Sequence, residues 1–127
     1  MKDPEASAAI GAEGERLAAR FLRKLGCAIL QRNCRSALGE LDLIVRDGDE
    51  VVFVEVKTRS AEDDTIPPVT PAQQRRIYRV ASAFALRHRI EHRTLRFDVI
   101  SVLILPGQPP AIRHIKDAFS APQSSSW

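Results

Sequence analysis

Residues 39–58 constrain this chain more than any other stretch. Gly39-Glu40-Leu41-Asp42-Leu43-Ile44-Val45-Arg46 and Val51-Val52-Phe53-Val54-Glu55-Val56-Lys57-Thr58 are two runs rich in Val, Ile, Leu and Phe. Between them lies Asp47-Gly48-Asp49-Glu50, a Gly/Asp turn, so the whole reads as a β-hairpin. Side chains alternate along a strand: Val51, Phe53, Glu55 and Lys57 share one face, and Val52, Val54 and Val56 the other. A two-residue turn at Gly48-Asp49 places Asp42 directly opposite Glu55. Moving the turn to Asp47-Gly48 still keeps both carboxylates on one face, whereas an odd-length loop would separate them.

Two acids and an ammonium on one sheet face are costly unless something neutralises or uses them. Ionised carboxylates held close repel, and one takes up a proton unless a cation bridges them. A hard divalent cation such as Mg2+ prefers one or two carboxylates, waters and substrate phosphate oxygens. Lys57 beside such an ion could orient a water or stabilise an anionic transition state. A cross-strand Glu–Lys or Asp–Lys pair on a solvated face would satisfy the same residues. The hairpin alone leaves both readings open.

The length of 127 residues favours one domain, able to bury roughly two-thirds of its surface. No apolar run reaches the ~18 residues of a membrane-spanning helix. The start, Met1-Lys2-Asp3-Pro4-Glu5, lacks the order of a secretory signal. Cys27 and Cys34 lack CxxC spacing and read as reduced, partly buried thiols. These features point to the cytoplasm and to no membrane partner.

The net charge is only +3, but it is unevenly spread. Acids gather around the hairpin and after it, at Glu40, Asp42, Asp47, Asp49, Glu50, Glu55, Glu62, Asp63 and Asp64. Between Arg75 and Arg96 the arginines Arg75, Arg76, Arg79, Arg87, Arg89, Arg93 and Arg96 face the single acid Glu91. An acidic pocket with an arginine-rich flank suits a metal site beside a phosphate-backbone track. An ordinary solvated helix face carries the same arginines.

Ile10 to Leu25 has helical periodicity, with Gly11, Gly14, Leu17, Ala18, Phe21, Leu22 and Leu25 on one face and Gly26 as the stop. Glu15 lies at the margin of that stripe, where it could aim a third carboxylate at Asp42 or remain a rim residue. Cys27 to Arg32 reads as a short strand and Asn33 to Gly39 as a loop, with Ala61 to Val69 a mobile connector. Thr70-Pro71-Ala72-Gln73 is a helix start: Thr as N-cap, Pro at the first position, Gln at the capping-box position. That helix is expected to run to about Arg89, burying Ile77, Val80, Ala81, Phe84 and His88. His88-Arg89-Ile90-Glu91-His92 formally matches HxxEH, but it falls where a helix is ending and has no third ligand. Leu95 to Leu105 reads as a long strand, with Asp98 an edge or loop partner for an arginine. Ala111 to Ile115 reads as a last strand.

Helix, strand, hairpin, helix and strand give an α/β order, with a mixed sheet between helices. Gly11-Ala12-Glu13-Gly14-Glu15, Arg32-Asn33, Gly39-Glu40-Leu41-Asp42-Leu43-Ile44, Phe53-Val54-Glu55-Val56-Lys57-Thr58-Arg59, Arg96-Phe97-Asp98-Val99 and Ala118-Phe119 resemble the bacterial YraN family. The resemblance covers about Gly11 to Phe119. That family is similar in turn to the PD-(D/E)XK nuclease superfamily, notably archaeal Holliday-junction resolvases. The resemblance implies a restriction-endonuclease-like three-layer sandwich with a four-stranded mixed sheet. It also implies a metal-dependent site, with Asp42 and Glu55 as ligands, the carbonyl of Val56 as a further ligand, and Lys57 beside the attacking water. Glu15 matches the first-helix glutamate of the resolvases. A lysine is usual where Gln73 stands, so a phosphate contact is missing here, and Cys34 replaces a common aromatic residue.

The expected organisation is a flexible leader over 1–9, one nuclease-like domain over 10–120 and a disordered tail over 121–127. The expected function is a Mg2+- or Mn2+-dependent endonuclease on structured or branched DNA, with catalytic Glu15, Asp42, Glu55 and Lys57. Arg59, Gln74, Arg75, Arg76 and Arg79 would hold the nucleic acid. A two-fold homodimer would suit symmetric junction cutting. The alternative is a non-catalytic nucleic-acid-binding or assembly module that retains the nuclease fold.

Overall fold

The first helix begins earlier than the apolar stripe suggests. In the computed structural model, which describes residues 4–60 and 68–120, α1 spans Pro4–Lys24. Residues 4–9, expected as part of a leader, are therefore helical. Pro4 suits a first helical turn, Glu5 complements the helix dipole there, and alanines follow with high helix propensity. The expected connector falls outside the described residues over 61–67, and the expected tail over 121–127 does so entirely.

The sheet has five strands rather than four, in the order β1-β2-β3-β4-β5. They are β1 Ala28–Ser36, β2 Gly39–Asp47, β3 Glu50–Arg59, β4 Thr94–Leu103 and β5 Ala111–Ile115. β1 runs through what read as a loop, pairing Cys34 with Leu41 and Arg35 with Glu40. The sequence reads as strand only to Arg32, because an edge strand with an irregularity between Ile29 and Gln31 carries no clean burial alternation. The β2–β3 hairpin closes on Gly48-Asp49, with Asp47 opposite Glu50 and Leu43 opposite Val54. Gly48 takes φ +61°, the positive value that a Gly-first two-residue turn requires.

The second helix, α2 (Pro71–Arg87), carries the chain from β3 to a parallel β4, as parallel pairing demands. Its start is as read: Gln73 N donates to Thr70 Oγ1 (3.1 Å), and Thr70 N donates to Gln73 Oε1 (2.9 Å). Its end is earlier. His88 is the exposed C-cap rather than a core residue, Arg89 turns left-handed (φ +56°), and Ile90 N donates to Ala85 O. This is a Schellman-type closure in which Ile90 packs on the core in the place expected of His88.

The two helices cover opposite faces. Ala18, Ala19 and Leu22 of α1 pack on Leu43, Val45, Val52, Val54, Ile100 and Val102. Ile77, Tyr78, Val80, Ala81 and Phe84 of α2 pack on Leu41, Ile44, Val51, Phe53 and Phe97. The result is a three-layer α/β sandwich around a mixed sheet. Leu25, expected in the α1 stripe, is 54% exposed because the helix has already turned away at Lys24. Among the described residues, no helix is long and apolar enough to cross a membrane.

Candidate carboxylate site

Asp42 sits where the β2–β3 ladder ends. Pairing runs from Asp47↔Glu50 to Leu43↔Val54 and stops one residue short of Asp42. There the Asp42 carboxylate takes over as acceptor, with Val56 N donating to Oδ2 at 2.7 Å. The two-residue alternation also breaks at this point: Leu43 and Val45 face α1, whereas Leu41 joins Ile44 on the α2 side. A buried carboxylate is thus held by a main-chain N–H, which favours its ionised form.

Glu55 and Glu15 both converge on Asp42. Burial, followed by the Asp42 charge, pushes the Glu55 carboxyl up to about 8, and Lys57 opposes the rise. Burial also raises Asp42 from its ordinary value, against the Val56 N–H bond and hydrogen bonds shared with Glu55 and Glu15. Glu15 is raised by burial and then by Asp42. With Val56 already donating to Asp42, the negative charge rests best on Asp42 while Glu55 holds a proton. Lys57 Nζ stands 4.0 Å from Glu55 Oε1, a loose ion pair with both side chains about one-fifth exposed. The four residues expected to act together, Glu15, Asp42, Glu55 and Lys57, are therefore neighbours on α1, β2 and β3.

Two further residues belong to this surround and were missed as site residues from sequence. The Glu40 charge raises the carboxyls of Glu15, Asp42 and Glu55, and the Arg35 charge lowers that of Glu15. Arg35 Nε lies 3.6 Å from Glu40 Oε2 on the exposed β1–β2 hairpin. Their cross-strand pairing would have been readable only if residues 33–36 had been recognised as strand.

The expected nucleic-acid contacts are more dispersed. Arg59 is half-buried at the end of β3. Gln74 Nε2 donates to Val69 O at 3.0 Å, tying the entry of α2 to its own helix. Arg75, Arg76 and Arg79 are exposed on α2 and form no ion pair with another described residue. Arg76 lies against Gly39, the neighbour of Glu40. Cys27 and Cys34 are free thiols, buried and half-buried.

Among the described residues, no three His, Cys, Asp or Glu side chains form a ready-made metal-binding group. The donor chemistry nevertheless fits a hard divalent cation, which takes few protein ligands and keeps waters. Two carboxyls raised by burial, Glu55 also by the Asp42 charge, gain from a cation between them, and the oxygens of Asp42 and Glu55 are the available ligands. The Val56 carbonyl belongs to the same strand segment.

A second polar network stands around Asp98, which is fully buried on the interior strand β4 rather than at an edge or in a loop. The expected arginine is Arg96, whose Nε and Nη2 donate to the two Asp98 oxygens at 2.9 and 3.0 Å. Arg96 also reaches Glu50 (3.0 Å) and Asp47 (3.1 Å) at the hairpin turn. His114 Nε2 lies 2.7 Å from Asp98 Oδ2, and Asp117 N donates to Oδ1 at 3.0 Å. Burial pushes the Asp98 carboxyl up, but Arg96, Asp117 and His114 together hold it below its ordinary value. Its bonds run to β5 and the β2–β3 turn, so the network ties the sheet together away from Glu15 and Asp42.

Comparison with known proteins agrees with the sequence motifs. The chain matches the family described as "Uncharacterised protein family UPF0102" over residues 14–102, a span holding Glu15, Asp42, Glu55, Lys57 and the α2 arginines. It is 47% identical to a UPF0102 protein of Nocardia farcinica, covering 87% of this chain and 89% of that one. A UPF0102 protein of Geotalea daltonii is 44% identical, covering 87% and 88%, and one of Mycolicibacterium vanbaalenii is 41% identical, covering 91% and 98%. With the family matched across both helices and the hairpin site, the chain belongs to the UPF0102 (YraN) family.

Proposed function

We propose that this protein is a divalent-metal-dependent endonuclease that acts on structured or branched DNA in the cytoplasm. The observation carrying the reading is the convergence of Asp42 and Glu55, with Glu15 and Lys57 beside them, at the end of the β2–β3 ladder. Three carboxyls raised together in one place, with the Lys57 ammonium beside them, support a site kept for chemistry.

Asp42 and Glu55 would hold Mg2+ or Mn2+, with the Val56 carbonyl as a further ligand. The bound ion would supply charge neutralisation and an activated water for phosphodiester hydrolysis. Asp42 is fixed for this role by the Val56 N–H, so its free lone pairs have a defined direction. Glu55 must give up its proton for both carboxylates to act as ligands, and a neighbouring cation lowers the cost of doing so. Lys57 offers an ammonium to the anionic phosphate and to the charge that develops on it. Arg75, Arg76 and Arg79 would grip phosphates without reading bases. A two-fold dimer of such a domain would suit paired cuts in a symmetric junction.

The second reading, a non-catalytic nucleic-acid-binding or assembly module, is favoured by Gln73. Its side chain is committed to the helix cap, where the family's usual lysine would offer a charge to phosphate. A cleavage assay over branched and linear DNAs with Mg2+ and Mn2+ tests the two. The nuclease reading expects cutting by the parent protein and none by Asp42→Ala or Glu55→Ala, with DNA binding retained. Equal cutting by both variants sinks it. Parental DNA binding without cutting, and without Mn2+ uptake by calorimetry, supports the binding module.

A further inference from the structure

Gly14 is buried where α1 meets β3. A methyl group placed on it would stand 1.9 Å from Thr58 Oγ1, 2.6 Å from Cγ2 and 2.8 Å from Cβ, all below the 3.0 Å that real Cβ contacts respect. The helix backbone therefore rests directly on the Thr58 side chain. Glycine is present for this approach and not for its backbone freedom, because the position is ordinary helix.

The position of this contact in the chain gives it a second meaning. Gly14 immediately precedes Glu15, and Thr58 immediately follows Lys57. Of the four residues expected to act together, Glu15 alone does not come from the β2–β3 hairpin. Asp42, Glu55 and Lys57 lie on the adjoining strands β2 and β3, whereas Glu15 reaches them from α1 and is placed by how closely that helix docks. The next buried contacts of α1, through Ala18, Ala19 and Leu22, lie further along the helix and would let its Glu15 end tilt without releasing the rest. We infer that the Gly14–Thr58 contact sets the separation between Glu15 and the hairpin carboxylates, making Gly14 and Thr58 positioning residues of the site.

The role in cleavage rests on the nuclease reading; the positioning itself does not. Gly14→Ala improves helix propensity, but its methyl would overlap the Thr58 side chain, so α1 and β3 must separate, keeping the helix and displacing Glu15. A misplacement on the order of 1 Å can cost a catalytic step roughly 100-fold. Thr58→Gly removes the three atoms nearest to the new methyl, Oγ1, Cγ2 and Cβ.

The test compares the full chain with Gly14→Ala, Thr58→Gly and the double variant. On a branched DNA with Mg2+, Gly14→Ala should lower kcat roughly 100-fold with KM little changed. The double variant should recover most of that loss, and Gly14→Ala should add nothing further to Glu15→Gln. Independently of cleavage, a double-mutant cycle in urea unfolding measures the coupling of Glu15→Gln with Asp42→Asn. That coupling should vanish in the Gly14→Ala background and return when Thr58→Gly is added to it. A parent that cuts no DNA ends the nuclease reading, while the cycle still decides the positioning. If Gly14→Ala fails to fold, Thr58→Gly alone, which loosens the contact, should diminish the coupling. Coupling that survives Gly14→Ala, or in the fallback Thr58→Gly, overturns the inference, as does a loss that Thr58→Gly fails to restore.

Discussion

Replacing Glu55 with glutamine should stabilise the protein at neutral pH and leave it unchanged near pH 4. The Glu55 carboxyl is ordinarily ionised above 4.5 but rises to about 8 in the fold, chiefly through burial and then through Asp42. Between those values the folded chain holds a proton that the unfolded chain has lost. Stability therefore falls as pH rises, by about 1.4 kcal/mol per pH unit. Below 4.5 both states are protonated and no cost exists; above about 8 both are ionised and the cost is constant. At pH 7 the accumulated cost is about 2–4 kcal/mol, a large part of the ~5–15 kcal/mol that holds a small domain together. Glutamine keeps the shape and can still donate to Asp42, but it has no proton to lose. The loose Lys57 pair that it forfeits, at 4.0 Å, contributes little. Urea unfolding of parent and Glu55→Gln from pH 4 to pH 8 measures this directly, with m-values confirming comparable transitions. A gain that is equal at pH 4 and pH 7, or absent at pH 7, would refute the electrostatic reasoning. If the gain is found together with lost cleavage, the carboxylate is held at a cost to stability, as functional groups often are.

Asp98→Asn should cost about 1.5–3 kcal/mol, because Arg96 loses the ionised partner that accepts two of its hydrogen bonds while keeping Glu50 and Asp47. Since the fold holds the Asp98 carboxyl low, its contribution is present above the ordinary 3.8 and lost as pH falls through the lower folded value. The parent's acid-side loss of stability should therefore be shallower in Asp98→Asn, and an unchanged acid limb would count against this network. Removing Arg75, Arg76 and Arg79 together should weaken DNA binding across all sequences and reduce the slope of log K against log salt by about 2–3. An unchanged slope in filter binding would show that α2 is not the phosphate track. Thr70→Ala should lower stability by about 1 kcal/mol in chemical denaturation, since Gln73 N then loses its side-chain acceptor.

The hairpin and the start of α2 were legible because their determinants are local. Apolar alternation and one Gly-Asp turn fix the strand register, and Thr70, Pro71 and Gln73 carry a cap within four residues. Asp42, Glu55 and Lys57 could be grouped from sequence because the turn sets β2 beside β3, although the break in alternation next to Asp42 left no mark in it. β1 was cut short because an irregular edge strand is only partly buried and writes no period into its residues. The end of α2 was misplaced because its left-handed residue is Arg89, where the usual signal is glycine.

What the sequence determined by itself, then, is the set of groups whose geometry follows from register over a few residues. The tertiary structure alone decided which distant groups meet them. It put Thr58 under Gly14, brought the Glu40 charge to bear on Glu15 and Glu55, and set His114 and Asp117 on a buried Asp98. These contacts span many residues and depend on how closely helices dock on a sheet. That distance is set by the sum of many side-chain volumes, and no short stretch of chain encodes it.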